Sequence, residues 1–478
     1  MTEDTFREVI NRLSYIVDKT DFEGHVYAVG GCVRDSILGR EIKDIDICVD
    51  LPDGGIRLAQ YIHDGNNTCG GIVTYPSYGT AMFRLLTHPD VEIECVQTRK
   101  ECYRDENSRN PETCYGTLEE DAMRRDLTIN ALYMDVYTFG IIDPTGRGKA
   151  DITEHRLRVT STPEIVYGDD PLRILRLCVF HGRLGWDVDD ETYRGAKSCV
   201  DRLSIITVER IRNELDKMLL CDDPVKPLEM LRELGAMEYV MPSLCDTFGM
   251  GQNKYHSGTV WEHTMTVLSN MAKYRFPHGY TVPELTLRLA ALLHDIGKVR
   301  TRTVDENGNV HFYGHEEASA VMCDHILRTI KYPNDVIADV RFLVRNHMRC
   351  KQWRVDKIKA KSLRKLQYEC GRKYFTPLLA LIDADNHAHA PEYCIDGQCE
   401  RVLNETMRMI SVGDDMFGYK LPINGDDIMK TFGLEPGKEV KTYLAHALKV
   451  AFSEPGIAKG KLLRILRKSK PNIDGVVK

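Results

Sequence analysis

A chain of 478 residues, 42% hydrophobic and 28% charged, is too long for one ordinary core and too apolar to stay disordered, so two or three folded domains are expected. Its net charge of −7 excludes a protein that coats nucleic acid indiscriminately, because phosphate binding needs positive charge, and leaves room only for a restricted basic patch. The opening residues lack the layout of a secretion signal, no run reaches the roughly 18 apolar residues of a membrane span, and the cysteines are scattered, with Cys394 and Cys399 the nearest pair; a cytoplasmic protein with reduced thiols and no membrane contact is expected.

Along the first 150 residues, apolar runs with strand spacing (His25 to Val29, Ile45 to Val49, Ala81 to Leu86, Val91 to Val96) alternate with helical stretches such as Glu119 to Met134. This predicts an α/β head. From Asp169 onward helical periodicity takes over, as in Ile174 to Leu184, Val208 to Leu220 and Leu228 to Leu234, and the chain as a whole reads as α+β. Histidines gather between Thr259 and about Pro391, and a last helical segment takes Asn424 or Asp426 as its cap. Basic residues interleave with Trp353 and Tyr368 from Arg349 to Lys373 and recur from Lys459 to Lys470; either patch serves equally as an RNA contact or as a solvated helix face.

Within the head, Val29-Gly30-Gly31-Cys32-Val33-Arg34-Asp35 joins a strand to a helix. Such a turn presents backbone N–H groups to an anion, and Arg34 adds a guanidinium for a triphosphate. Next, Lys43-Asp44-Ile45-Asp46-Ile47 sets two carboxylates on one face of a strand while the isoleucines face the core. Like charges so close repel unless a cation lies between them. Asp44 and Asp46 therefore suit two Mg²⁺ that activate a 3′-hydroxyl and stabilise leaving pyrophosphate in an in-line displacement.

The glycine turn, Arg34 and the Asp-x-Asp, in this order and spacing, resemble the head domain of the nucleotidyltransferase superfamily that includes CCA-adding enzymes and bacterial poly(A) polymerases. The resemblance implies a third carboxylate on a neighbouring strand with an arginine a few residues later. Glu94 with Arg99 fits, and Glu92 is the alternative. Arg124-Arg125-Asp126-Leu-Thr-Ile-Asn130-Ala matches the family's Arg-Arg-Asp-x-Thr-x-Asn-Ala element; Asp126 and Asn130, one helical turn apart, suit the ribose, and the arginines suit phosphates. The polar segment Thr98 to Thr117 falls where the family has a flexible loop associated with full CCA synthesis.

In Asp169-Asp170-Pro171-Leu172-Arg173-Ile174-Leu175-Arg176, Asp170 and Pro171 make a good helix start, yet the arginines are not needed for capping. A carboxylate accepts from an exocyclic amine and a guanidinium donates to a ring nitrogen or carbonyl, which fits the Watson–Crick edges of cytosine and adenine. Uracil and guanine would leave buried polar groups unsatisfied. The segment resembles the family's amino-acid template, Glu-Asp-x-x-Arg, with Asp169 in place of the Glu, and so implies base reading by Asp170 and Arg173 with Arg176 beside them. The match continues through Leu177 to Trp186 and Glu209 to Leu215, to about residue 240. No arginine-rich element of the poly(A) polymerase kind follows Asp46, so CCA addition to tRNA from CTP and ATP is preferred, with poly(A) synthesis and CC-only or A-only addition as alternatives.

His263, His294-Asp295, His315, His347 and Asp383-Ala-Asp385 occur in helical sequence in the order of the ligand pattern of the HD phosphohydrolase superfamily. Imidazole and carboxylate from separate helices suit a transition metal such as Mn²⁺, Co²⁺ or Ni²⁺, with an open position for water. The resemblance implies His263, His294, Asp295 and Asp385 as ligands, Asp385 being preferred over Asp383 by register, with His315 and His347 completing a second site. It divides the chain into a nucleotidyltransferase α/β head (1–150), an all-α neck and body for base selection and RNA binding (151–255), an all-α HD domain (256–395) and a helical tail (396–478). Stringent-response synthetases carry these domains in the opposite order, and protein-modifying uridylyltransferases show Gly-Ser in the nucleotide turn. A purely RNA-binding module would have no use for Asp44, Asp46 and Glu94.

Overall fold

The structure, a computed structural model, describes residues 1–66, 68–76, 79–102, 112–253, 255, 258–273, 281–351, 353, 358–394 and 396–469. The chain divides into two units, Met1–Val240 and Met241–Lys478.

The first unit is built on a seven-stranded sheet whose strands form where β-branched residues concentrate. In chain order, α1 (Glu3–Val17) leads to β1 (Val26–Val29), α2 (Gly31–Ile37), β2 (Ile45–Val49), α3 (Gly54–Asn66), β3 (Val73–Tyr75), β4 (Thr80–Phe83) and β5 (Ile93–Gln97). A separate ribbon of β6 (Arg99–Cys102) and β7 (Glu112–Tyr115) precedes α4 (Leu118–Met123), β8 (Tyr133–Asp135) and β9 (Ile141–Ile142). The order across the sheet is β3-β4-β5-β2-β1-β8-β9, with β2 and β5 parallel and the other neighbours antiparallel. β2 is thus central, with Ile45 and Ile47 buried and Asp44 and Asp46 on its other face. The ribbon spans the ends of the polar segment Thr98 to Thr117; its middle, 103–111, lies outside the described residues.

The helix expected from Glu119 to Met134 is much shorter. α4 starts on a capping box between Thr117 and Glu120 and ends at Met123; a 3-10 turn spans Thr128–Asn130, and β8 then pairs with β1. Leu127, Ile129, Ala131 and Tyr133 are all buried, but from a turn and a strand, a distinction that apolar spacing alone does not carry.

Seven helices follow: α5 (Gly148–Thr153), α6 (Pro163–Asp169), α7 (Leu172–Leu184), α8 (Asp190–Ser198), α9 (Val208–Leu219), α10 (Val225–Glu233) and α11 (Met237–Val240). α7 packs on α9 and α10, and a short parallel pair, β10 (Arg156–Leu157) and β11 (Asp187–Val188), bridges this layer.

Among its described residues the second unit is helical apart from the ribbon of β12 (Thr303–Val304) and β13 (Val310–His311). α12 (Val260–Lys273), α13 (Glu284–Leu293), α14 (Lys298–Thr301), α15 (His315–Thr329), α16 (Asn334–Asn346) and α17 (Ala360–Asn386) form its main body. α13 is buried from Thr286 to Leu293 and touches α12, α16 and α17, so its C-terminal end delivers His294 and Asp295 to the middle of the bundle. α17 is interrupted at Gly371, where φ is 60°. α18 (Gln398–Ser411) leads to α19 (Gly425–Phe432), α20 (Lys438–Ser453) and α21 (Lys459–Lys468), which share a core of their own around Ile428, Tyr443 and Leu462. Asn424 caps α19 in a box with Asp427. Among the described residues, no helix is long and apolar enough to cross a membrane.

Candidate functional site

β1 leads into Gly30, whose φ of 77° is the left-handed backbone that glycine adopts without penalty. A Cβ there would lie 3.6 Å from Asp46 Oδ2 and 3.7 Å from Arg125 Nη1, so the turn passes directly beside the carboxylates, with Gly31 opening α2. The parallel register of β2 and β5 pairs Asp46 with Glu94. Burial pushes the Asp46 carboxyl up to about 6, with the charges of Glu94 and Asp44 adding to the effect and Arg125 opposing it. Carboxylates crowded in this way fit divalent cations that prefer oxygen ligands. Glu92 instead pairs with Arg84 at 2.9 Å, so the geometry favours Glu94.

The arginines of the head are held from behind. Fully buried Asp121 accepts from Arg124 Nη2 at 2.5 Å, from Arg125 Nη2 at 2.9 Å and from the Tyr133 hydroxyl at 2.5 Å. Arg34 turns inward: its guanidinium donates to both oxygens of Asp35, at 2.9 and 2.8 Å, and to Asn130 Oδ1 at 2.5 Å. At 3% exposure it is placed to organise the turn from within. Although Asp126 and Asn130 do not share an α-helix, they remain coupled, Asn130 Nδ2 donating to Asp126 Oδ1 at 3.0 Å while Asp126 Oδ2 accepts from Arg176 at 2.8 and 2.6 Å.

These groups border a cavity of 310 Å³ lined by Arg124, Asp126, Asp170, Arg173 and Arg176. Asp170 sits between α6 and α7, its Oδ1 accepting from Leu172 N, the first residue of α7, at 3.1 Å. Its Oδ2, however, accepts from Arg210 Nη2 at 2.7 Å. Arg173 donates to the carbonyls of Val166 (3.1 Å) and Arg124 (2.6 Å), so the i, i+3 neighbours share a pocket wall without sharing partners. Arg210 was not singled out from the sequence; its one signal is its place in the Glu209 to Leu215 segment.

In the second unit, His263, His294, Asp295, His315, His347 and Asp385 arrive from different helices and helix ends at one buried cluster. Asp295 faces two sets of imidazoles. Its Oδ2 lies 3.2 Å from His294 Nε2 and 3.5 Å from His263 Nε2, and its Oδ1 lies 3.3 Å from His315 Nε2 and 3.7 Å from His347 Nε2. Asp385 Oδ1 is 3.2 Å from His263 Nε2.

Every Nδ1 in the cluster faces a backbone carbonyl: Ala388 for His263 (3.3 Å), Ala291 for His294 (2.8 Å), Phe312 for His315 (2.8 Å) and Val344 for His347 (2.7 Å). That contact puts the proton on Nδ1 and turns each Nε2 lone pair into the cluster, the arrangement of metal-ligating histidines. His294 Nε2 and Asp385 Oδ1 are buried without a hydrogen-bond partner, as ligand atoms awaiting a cation would be. Burial pushes His347 down to about 3, which keeps it neutral. The donors fit divalent transition cations, and Asp295 belongs to both groups of candidate ligands, with His263 and His294 and with His315 and His347.

Asp383 points elsewhere, 3.6 Å from His387 Nδ1, which leaves Asp385 as the cluster's carboxylate. Two residues without an assigned role in the sequence also enter. Lys298 Nζ lies 2.6 Å from Asp295 Oδ2, and Lys351 Nζ 2.5 Å from Asp385 Oδ2. Both lysines line a cavity of 920 Å³ that reaches Asp295, His315 and Asp385, with Tyr313 also in its wall. Much of the basic patch from Arg349 to Lys373 is likewise spent in ion pairs, Arg364 with Asp414 and Lys373 with Asp339 among them, which favours a solvated, paired face over an RNA contact.

Three family profiles match the chain in succession: the poly A polymerase head domain over residues 26–158, the probable RNA and SrmB-binding site of polymerase A over 185–248, and the HD domain over 255–385. The multifunctional CCA protein of Neisseria gonorrhoeae (strain NCCP11945) is 35% identical over 292 residues, 58% of this chain and 62% of that protein. That of Pseudomonas paraeruginosa (strain DSM 24068 / PA7) is 32% identical over 327 residues, 65% of this chain and 71% of that protein. The chain therefore spans less than two thirds of the first relative's length and more than two thirds of the second's. In fold it is similar to the Bacillus stearothermophilus CCA-adding enzyme solved in complex with CTP, with a TM-score of 0.64, 21% identity and coverage of 97% of this chain and 98% of that one.

Proposed function

The chain belongs to the multifunctional CCA protein family, and on that premise we propose that it adds CCA to the 3′ end of tRNA from CTP and ATP, in the cytoplasm, without a nucleic-acid template. The observation that carries this reading is the pairing of Asp46 with Glu94 in register beside the Gly30 turn. Mg²⁺ held by Asp44, Asp46 and Glu94 would supply charge neutralisation at the reacting phosphate. The chain's own groups do the rest. Arg124 and Arg125, fixed by Asp121, keep positive charge beside the triphosphate; Asp126 and Asn130 take the ribose; Asp170 and Arg173 present an acceptor and donors to the base.

The test is to incubate tRNA transcripts ending before C, CC or CCA with single and mixed nucleotides and to sequence their 3′ ends. Stepwise growth to CCA with rejection of UTP and GTP is expected. Homopolymeric A tails would indicate a poly(A) polymerase, and arrest after CC or dependence on a CC end would indicate a partial enzyme.

The HD cluster supports a second activity, metal-dependent hydrolysis of phosphate esters such as 2′,3′-cyclic phosphates or 3′-phosphates that would block a tRNA end. Mn²⁺, Co²⁺ or Ni²⁺ are the ions its nitrogen and carboxylate donors suit, and they would supply a polarised water there. Hydrolysis of these esters by wild type but not by an Asp295→Ala variant is expected; equal hydrolysis by both, or none with any ion, would leave the domain a structural or tRNA-docking role. In this assignment the head covers 1–150, the neck and body 151–255, the HD domain 256–395 and the tail 396–478.

A further inference from the structure

We propose that His387, Cys394 and Asp396 form a further cation site, one that takes a divalent ion such as Zn²⁺ and clasps the end of α17 to the start of α18. It lies outside both centres described above and does not depend on the activities proposed for them.

The three side chains come from the segment that joins the two helices. His387 follows the last residue of α17, and Cys394 and Asp396 precede α18. Asp396 Oδ1 lies 3.3 Å from His387 Nε2 and 3.4 Å from Cys394 Sγ, and one ligand atom from each residue falls within 4.8 Å of the others. A tetrahedral Zn²⁺ holds nitrogen and oxygen at about 2.0–2.1 Å and sulfur at about 2.3 Å, which sets nitrogen about 3.3 Å and sulfur about 3.5 Å from the oxygen. The observed separations match those two edges. Imidazole, thiolate and carboxylate together are a donor set for zinc, whereas magnesium and calcium take oxygen.

The imidazole is turned for this use. His387 Nδ1 faces the backbone carbonyl of Asp383 at 2.8 Å, a partner that can only accept, so a proton sits on Nδ1 and Nε2 is directed at Asp396. A proton on Nε2 would join two of the three facing atoms; a divalent cation joins all three. Asp383, which the HD cluster leaves unused, stands behind the ring with a carboxylate oxygen 3.6 Å from Nδ1. Groups in that position orient a ligating histidine and raise its basicity. The negative end of the α17 dipole adds to the attraction for a cation.

Asp396 is exposed and His387 partly so, which lets an ion arrive from solvent without opening the bundle. The clasped segment also carries Ala388, whose carbonyl accepts from His263 Nδ1, and His389 and Tyr393, which line the 920 Å³ cavity. An ion held here therefore steadies one wall of the buried centre without being one of its metals.

Co²⁺ is the probe, because a thiolate bound to it gives a near-ultraviolet charge-transfer band that imidazole and carboxylate do not. Neither the Asp44, Asp46 and Glu94 group nor the histidine–aspartate cluster includes a cysteine. Full-length protein, stripped of metal and kept reduced, should develop the band on titration with Co²⁺ and lose it when Zn²⁺ is added. Cys394→Ser should abolish the band, and His387→Ala or Asp396→Ala should weaken the affinity read from it by more than about tenfold. Asp295→Ala, which removes a carboxylate of the buried cluster alone, should leave it intact. Zn²⁺ should also slow proteolytic cleavage between α17 and α18 in wild type and not in Cys394→Ser. Wild type without the band would overturn the proposal, as would a band undiminished in Cys394→Ser, full affinity in His387→Ala, or loss of the band in Asp295→Ala.

Discussion

The two candidate centres set their carboxylates in opposite surroundings. In the head, Asp44 is exposed and Asp46 and Glu94 are half-buried on adjoining strands, because a strand turns alternate residues out of the sheet and its core-facing isoleucines fix which ones. In the helical unit all six ligand candidates are buried, and each imidazole is tied through Nδ1 to a carbonyl. A sheet face yields an open ledge, suited to a cation that comes and goes with a nucleotide. A bundle yields a cage, suited to cations that stay.

The largest effect that could break this contrast is expected from Asp46→Ala. Nucleotide addition should fall by more than about a thousandfold, the several kcal/mol that metal-held charge supplies, with phosphoester hydrolysis intact. Loss of both activities would show that the sites are not independent. Next, Asp295→Ala should cost the cluster the carboxylate both imidazole sets face. Affinity for Mn²⁺ or Co²⁺, followed by metal content after dialysis, should drop by more than about a hundredfold, and CCA addition should persist. Retention of full metal content would dissolve the cage.

Smaller effects sharpen how each region is built. A Cβ at Gly297 would fall 2.3 Å from Ser319 N and 2.5 Å from His315 O, so Gly297→Ala must push α15 away. A loss of about 1–3 kcal/mol in denaturant unfolding is expected, with hydrolysis impaired beyond that loss because His315 moves. Gly30→Ala meets no such crowding and instead strains the backbone at φ 77°, for about 1–2 kcal/mol. Equal sensitivity of hydrolysis to both changes would argue against separate packing of the two sites. Asn424→Ala in the α19 box is the mildest, about 1 kcal/mol and neutral for both reactions.

How much of this could be read from the sequence follows from how local each signal is. The Asp-x-Asp pair was legible because strand period alone puts Asp44 and Asp46 on one face, and the cap at Asn424 because a capping box spans four residues. The HD residues were legible through their order, and the structure assembles them. The long helix through Arg124 failed because six residues of α4 give way to a turn that buries Leu127 and Ile129 in a different way, and only the pairing of β8 with β1 decides that. The contact of Arg34 with Asn130 was hidden because the two lie 96 residues apart, and Arg210 stayed silent because Asp170 lies 40 residues before it. Lys351 was folded into a basic patch; that its charge is claimed by Asp385 is a fact of the closed bundle and not of its neighbours in the chain.

Lys298 and Lys351 bear on how the helical unit closes around its buried carboxylates. A small metal-built domain waits for its ion, since its ligands repel one another until the ion arrives, and its yield tracks metal supply. Here each buried carboxylate meets an ammonium group encoded in the same chain, so the charges are already balanced as the helices close. Folding of the unit is thereby expected to proceed without bound metal. Metal-free protein is accordingly expected to keep its folded helical unit, read as an unchanged far-UV signal after chelation.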